Sequence, residues 1–418
     1  MADRTTHTLL RMGGRDPHES GRAATPLELL FDLAFVIAFG NAADELAHAV
    51  SDGQTAAGVG GFLFATFAVS WAWINFSWFA SAYDTDDWIY RLTTMVQMVG
   101  VLVLSLGLPD MFASLAEGEH VDNGVMVLGY VIMRVPMVAQ WLRAATQDPP
   151  RAPLCRAMVT TLVLAQIGWV GLALAHLAVL PTIGCVLVLV GVEVAGPVIG
   201  ESLKGGTPWH AHHISERYGL LVIVTLGEGL LGTVAALGAL VGPEGPGCST
   251  DFAVLGVAGT ALTFGLWWTY FAIPFGPLLH GHRGRSFGWG YGHIPVFGAL
   301  VAVGAGLHAA AYYLDHHTEL DASRTMLATA VPVAIYLVLL YGIYALLSRT
   351  WHPFHTLLIA LSALTILGSL LLAAAGVSLV WCLAVLALTP WITVLGYELV
   401  GHRHNEAVLA ALPDRPQY

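Results

Sequence analysis

Apolar residues fall into twelve runs, separated by connections that hold nearly all of the Lys and Arg. At 1.5 Å of rise per residue, about 20 apolar residues cross the hydrocarbon core of a bilayer. The runs predict helices over 27–50, 58–82, 92–113, 124–142, 157–178, 181–199, 218–241, 252–275, 293–314, 326–347, 355–375 and 378–399. The weakest division is the one before Pro181, where residues 176–181 leave room only for a very short turn. The expected fold class is all-α, a polytopic integral membrane bundle of about twelve transmembrane helices.

The basic residues orient these spans. With the N-terminus on the cytoplasmic side, the inner segments hold Arg4, Arg11, Arg15, Arg22, Arg91, Arg143, Arg151, Arg156, Lys204, Arg217, Arg283, Arg285, Arg349, Arg403 and Arg415. Arg324 alone falls outside, and Arg134 lies within a helix. Such asymmetry of Lys and Arg sets topology. It predicts a multi-pass protein of the cell's inner (plasma) membrane with both termini in the cytoplasm.

Composition agrees. Hydrophobic residues make up 56% of the chain and charged residues 11%, against about a quarter charged in a soluble domain, so the bilayer is the first expected partner. A net charge of −11 offers no basic surface for nucleic acid. Cys155, Cys185, Cys248 and Cys382 share no CxxC spacing, which suggests neither a disulfide framework nor a zinc site. Residues 1–26 have no apolar core of a secretory signal and are expected to be a flexible cytoplasmic tail, as are residues 400–418 apart from a short helical AVLAAL. No cofactor, metal or oligomeric state is specified.

Six spans precede the inner loop at 200–217 and six follow it. ELLFDLAFVIAFGN, from Glu28, aligns loosely with ERYGLLVIVTLGEG, from Glu216. Two parallel six-helix halves, 27–199 and 218–399, are therefore expected, an arrangement that places polar sites where repeats meet.

An ionised side chain at mid-bilayer costs about 2.5–3.5 kcal/mol on insertion scales, so buried carboxylates are the candidates for function. Glu28 and Asp32 share a helical face, and Asn41, Asp44, Glu45 and His48 continue a polar face along the same helix. Asp84, Asp86 and Asp87 are followed by Arg91, which shares a face with Asp84 and Asp87 if the helix continues. That group reads either as a solvated helix end or as a carboxylate cluster for a proton or divalent cation. Arg134 requires a carboxylate partner, with Glu193 and Glu228 at comparable depth. Glu228 is flanked by glycines that admit a neighbouring helix, and it is a candidate proton donor.

His210, His212 and His213 form a short run that resembles a metal site only weakly and reads rather as exposed loop histidines. His213 and Glu216 are spaced to meet on one helical turn. His308 is deep enough to need a hydrogen-bond partner. Aromatic clusters include Trp71, Trp73, Phe76, Trp78 and Phe79 in the second span and Trp267 with Phe271 in the eighth. They serve as interfacial belts or as ring faces lining a pocket for cationic groups.

TPLELLFDLAFVIAFGNAADELA, WAWINFSWFASAYDTDDWIYRLTTMVQMVGVLVLSLG, YVIMRVPMVAQWLRAA and HHISERYGLLVIVTLGEGLLG occur in that order. Together they resemble the bacterial low temperature requirement A family over most of residues 25–310. The resemblance implies a polytopic membrane protein and leaves the chemistry open. It draws attention to Glu28, Asp32, Asp84, Asp87, Arg91, Arg134, His213, Glu216, Arg217 and Glu228.

Two function classes lead. One is a membrane-embedded enzyme of the terpene-cyclase type acting on an isoprenoid-like lipophilic molecule. There Glu228 or an Asp of the 84–87 cluster donates the proton, Glu28, Asp32 and Arg134 share the acid–base work, and Trp71, Phe76, Trp78 and Trp267 stabilise the cation. Glu193, Arg91, His213, Glu216 and Arg217 complete the binding residues. The other class is a proton- or ion-coupled transporter. A third is a non-catalytic scaffold or sensor, in which the charges merely join helices.

Overall fold

The computed structural model describes residues 9–203, 206–241 and 249–412, so Arg4, Lys204, Cys248 and Arg415 lie outside the described residues. Its helices are α1 (Pro26–Ser51), α2 (Thr55–Tyr83), α3 (Trp88–Leu106), α4 (Leu108–Glu117), α5 (Gly124–Gln147), α6 (Ala152–Ala175), α7 (Val179–Ser202) and α8 (Ala211–Val241). There follow α9 (Thr250–Phe271), α10 (Phe275–Gly281), α11 (Ser286–Leu314), α12 (Ala322–Ser348), α13 (Pro353–Ala374), α14 (Leu379–Ala387), α15 (Thr389–Gly396) and α16 (His402–Ala410). Among the described residues these form twelve stretches long and apolar enough to cross a membrane, one for each predicted span.

Local chemistry sets the ends. Thr25 and Glu28 make a reciprocal cap on α1: Thr25 N–H donates to Glu28 Oε2 at 2.8 Å, and Glu28 N–H to Thr25 Oγ1 at 3.3 Å. Asp87 caps α3 by accepting from Tyr90 N–H, and Asp321 caps α12 by accepting from Arg324 N–H. The weak break before Pro181 falls a few residues earlier. His176, at φ +43°, ends α6, and Pro181 lies in the first turn of α7, where a missing N–H costs nothing.

The chain divides into two compact units, Met1–Asn41 with Ala68–Arg217, and Ala42–Phe67 with Tyr218–Tyr418. Residues 42–67, assigned by sequence to the first half, group with the second.

In the first unit α3 packs along α5, α5 against α6, and α6 against α7. The α3–α5 crossing is close because glycines meet there: a Cβ on Gly129 would lie 2.4 Å from Leu104 N, and one on Gly100 would lie 2.7 Å from Gly129 O. Along α7, Leu180, Leu187, Val188 and Ile199 are more than half exposed, as suits a surface against lipid. In the second unit α11 is buried nearly all round, with α12 along one side, while α9 packs on α14.

The described part of the N-terminal segment, expected as a flexible tail, is tied down as a strap. Met12 is fully buried and its N–H donates to Gln147 Oε1 at 2.6 Å. Arg11 Nε donates to Gln147 O, and Arg15 N–H to Ala82 O.

Candidate functional site

Four side chains on α1 and α8 interlock inside the first unit. Arg217 reaches two acids at once, with Nη2 2.6 Å from Asp32 Oδ1 and Nη1 3.2 Å from Glu28 Oε1. His213 Nε2 stands 3.2 Å from Glu28. Glu28, His213 and Arg217 have no exposed surface and Asp32 has 3%. The helical period makes this cluster: Glu28 and Asp32 are four apart on α1, and His213 and Arg217 are four apart on α8.

Aromatic residues enclose it. Trp73 Nε1 donates to Asp32 Oδ1 at 2.7 Å, and the Arg217 guanidinium lies 5.5 Å from the Trp73 ring and 5.9 Å from that of Phe76. Phe76 stacks in turn on Phe31 at 3.8 Å. Arg217 also donates to Ser77 Oγ.

A second layer lies at the end of α2. The helix stops at Tyr83 and α3 begins at Trp88, so the expected shared face of Asp84, Asp87 and Arg91 is broken. Each aspartate takes a different arginine instead. Asp84 lies 3.9 Å from both Arg15 and Arg22, Asp86 pairs with Arg91 at 2.8 Å, and Asp87 binds Arg143. Asp86, at φ +48°, adopts the left-handed conformation that turns the chain between the helices.

Burial and the nearby negative charge of Glu28 push Asp84 up to about 6 against the pull of Arg22 and Arg15. Burial also pulls Asp87 upward, but the hydrogen bonds from Arg143 and Tyr90 N–H hold it below the usual carboxylate range. The bidentate hydrogen bond from Arg15 holds Glu19 low.

Of the histidine run only His212 is exposed as expected; His210, just before α8, and His213, in its first turn, are buried. His210 Nε2 lies 2.8 Å from Glu19 O, and its Nδ1 accepts from His213 N–H. Burial holds His210 below its ordinary value. His213 meets Glu28 and not Glu216, whose carboxylate accepts from Ala24 N–H.

Deeper in the same unit, Arg134 pairs with Glu193 through contacts of 2.8 and 3.0 Å, which decides between its two expected partners. Glu193 also accepts from Trp71 Nε1 at 2.8 Å and Trp169 Nε1 at 3.2 Å. Removing one member of such a buried pair costs about 3–5 kcal/mol, because the other charge is left unpaired.

The remaining sequence candidates have other surroundings. Trp78 lies edge-on to Trp209 at 5.0 Å, and Trp267 on α9 is 43% exposed beside Phe271. Glu228 belongs to the second unit and is 1% exposed.

The second unit also holds an apolar cavity of about 570 Å³, floored by Gly298, Ala302 and Ala309 of α11 and walled in part by Phe62, Val331 and Ile335. Among the described residues, no carboxylate lines it.

Sequence reasoning missed Arg15, Arg22 and Arg143 as partners of Asp84 and Asp87. Their contacts span more than 50 residues, and no local period reports them. Trp73 was legible as aromatic but not as a donor to Asp32.

The family model of the bacterial low temperature requirement A protein matches residues 23–389. The uncharacterized protein RA0937 of Rhizobium meliloti (strain 1021) is 27% identical over 323 residues, covering 73% of this chain and 73% of that protein. No solved structure matches.

Proposed function

The chain belongs to the bacterial low temperature requirement A family of multi-pass membrane proteins, and from that premise we propose that it is a proton-coupled carrier of the plasma membrane, with both termini cytoplasmic. The observation that carries the reading is an imbalance of buried charge. The buried Arg22 and Arg217 face the buried Glu28, Asp32 and Asp84, one more carboxylate than guanidinium, and His213 is set against Glu28, while the partly exposed Arg15 and Glu19 pair with each other.

An unpaired charge in such surroundings costs several kcal/mol. Retaining one proton in the cluster removes that cost. Arg217 bridges Glu28 and Asp32, so when one carboxylate takes the proton the guanidinium is released toward the other. Proton binding and side-chain position are thereby coupled, which is the elementary requirement of a carrier that exchanges protons with a bound solute.

The cyclase reading has less support. It asks for an acid and aromatic faces in one chamber, whereas the apolar cavity in the second unit has no carboxylate in its walls among the described residues. Trp73 and Phe76 are already engaged with Arg217.

The test uses the purified protein in sealed proteoliposomes carrying an inward proton gradient, challenged with a panel of amino acids, sugars, organic acids and monovalent cations. Accumulation of at least one class is expected, abolished by a protonophore. Asp32→Asn should lose gradient-driven accumulation while keeping solute counterflow. Conversion of an isoprenoid substrate by the same vesicles without any gradient, and no accumulation of any class, would overturn the proposal in favour of an enzyme.

A further inference from the structure

A separate group of ionisable residues lies in the second unit. Glu228 is in the middle of α8, and Gly304 of α11 faces it so closely that an added Cβ would lie 2.5 Å from the Glu228 Cβ. One turn along both helices, Gly232 faces His308, where an added Cβ would lie 2.9 Å from His308 Cδ2. The pairing of 228 with 304 and 232 with 308 means that α8 and α11 run in the same sense here. The stems of Glu228 and His308 are therefore offset by about one helical turn, on the order of 6 Å. An offset of that size leaves a gap that a single water is able to bridge between a carboxylate and an imidazole.

The two ring nitrogens of His308 have different surroundings. Nδ1 lies 2.8 Å from Asp44 Oδ1, while Nε2 is buried and finds no hydrogen-bond partner among the described residues. The Asp44 side chain is 52% exposed. A titratable chain thus leads from an open carboxylate through an imidazole toward a carboxylate that is 1% exposed. The other ionisable groups around its open end are Glu45, His48, Asp52 and Tyr312, with Tyr312 Oη 3.0 Å from His48 Nε2.

We propose that Asp44, His308 and Glu228 form a proton relay that loads Glu228 from the aqueous side. With its proton on Nε2, the imidazole accepts a proton from Asp44 at Nδ1 and releases the Nε2 proton through water to the Glu228 carboxylate. The proton left on Nδ1 then passes to Nε2 by tautomerisation through water, which restores the starting form, so one proton moves inward for each cycle. The glycines at 232 and 304 keep the α8–α11 interface narrow enough for these side chains to face one another.

The experiment follows Glu228 directly and does not depend on the carrier reading. Infrared spectra of the reconstituted protein are recorded after a rapid pH drop, and the carbonyl band of a protonated carboxyl is assigned to Glu228 by its loss in Glu228→Gln. Both His308→Gln and Asp44→Asn should slow the rise of that band at least tenfold while its final amplitude is kept. Glu117→Gln, at an exposed carboxylate of the first unit, should leave it unchanged. Asp44 is half-exposed, so Asp44→Asn carries the test even if His308→Gln does not fold. A spectrum that Glu228→Gln leaves unaltered, or a rise in Asp44→Asn as fast as in the wild type, would overturn the relay.

Discussion

Asp84 and Asp87 stand three positions apart and are driven in opposite directions. Asp84 is pushed up to about 6 because burial and Glu28 outweigh two guanidiniums that approach only to 3.9 Å. Asp87 is held low because Arg143 and a backbone N–H bind it directly. A carboxyl whose folded value exceeds its unfolded value of about 3.9 binds its proton more tightly when folded, so its contribution to stability is complete below about pH 4 and is lost as pH rises to about 6. The stability of the wild type minus that of Asp84→Asn should therefore fall by on the order of 2–3 kcal/mol between those limits and stay flat above them. Thermal unfolding in detergent across that range measures it, and a rising difference would contradict the assignment. Asp87 and His210 titrate in both proteins and cancel. The presence of acids at these positions was legible in the sequence, and so was the common face of Glu28 and Asp32. Which arginine each aspartate takes was not, because the left-handed Asp86 breaks the helix on which the expected pairing rested.

Among the elements, the spans were the most legible feature, since a run of apolar residues is long, continuous and independent of its neighbours. Finer divisions depend on single residues. Gly107 and Pro109 split the third span into α3 and α4, and Leu388 and Pro390 separate α14 from α15. Small residues decide which helices touch. At the α3–α5 crossing the atoms nearest a Cβ on Gly129 are all backbone, with no flexible side chain to give way. Gly129→Ala should cost about 3 kcal/mol or prevent folding, as overpacking does where relaxation is blocked. Gly342 on α12 has nothing within 4 Å of an added Cβ, and Gly342→Ala should be neutral or stabilising by up to about 1 kcal/mol through helix propensity. Melting temperatures of the two variants, measured side by side, check the contrast, and equal losses would refute it.

For the whole molecule, the distribution of Lys and Arg leads to a testable proposal, that both termini are cytoplasmic. Green fluorescent protein fused after residue 412 should fluoresce and alkaline phosphatase at the same point should be inactive, whereas phosphatase inserted at residue 120 should be active. The reverse pattern would place both termini outside. The N-terminal strap has a bearing on assembly as well. Its partners are synthesised long after it: Asp87 and Arg143 hold Leu10, Gln147 holds Met12, and His210 meets Glu19 just before the seventh span. The strap thus leaves the ribosome well before the helices that hold it and docks only once they are in place. A bulky fusion at the amino end would hinder that closing step, and one at the carboxyl end would leave it alone.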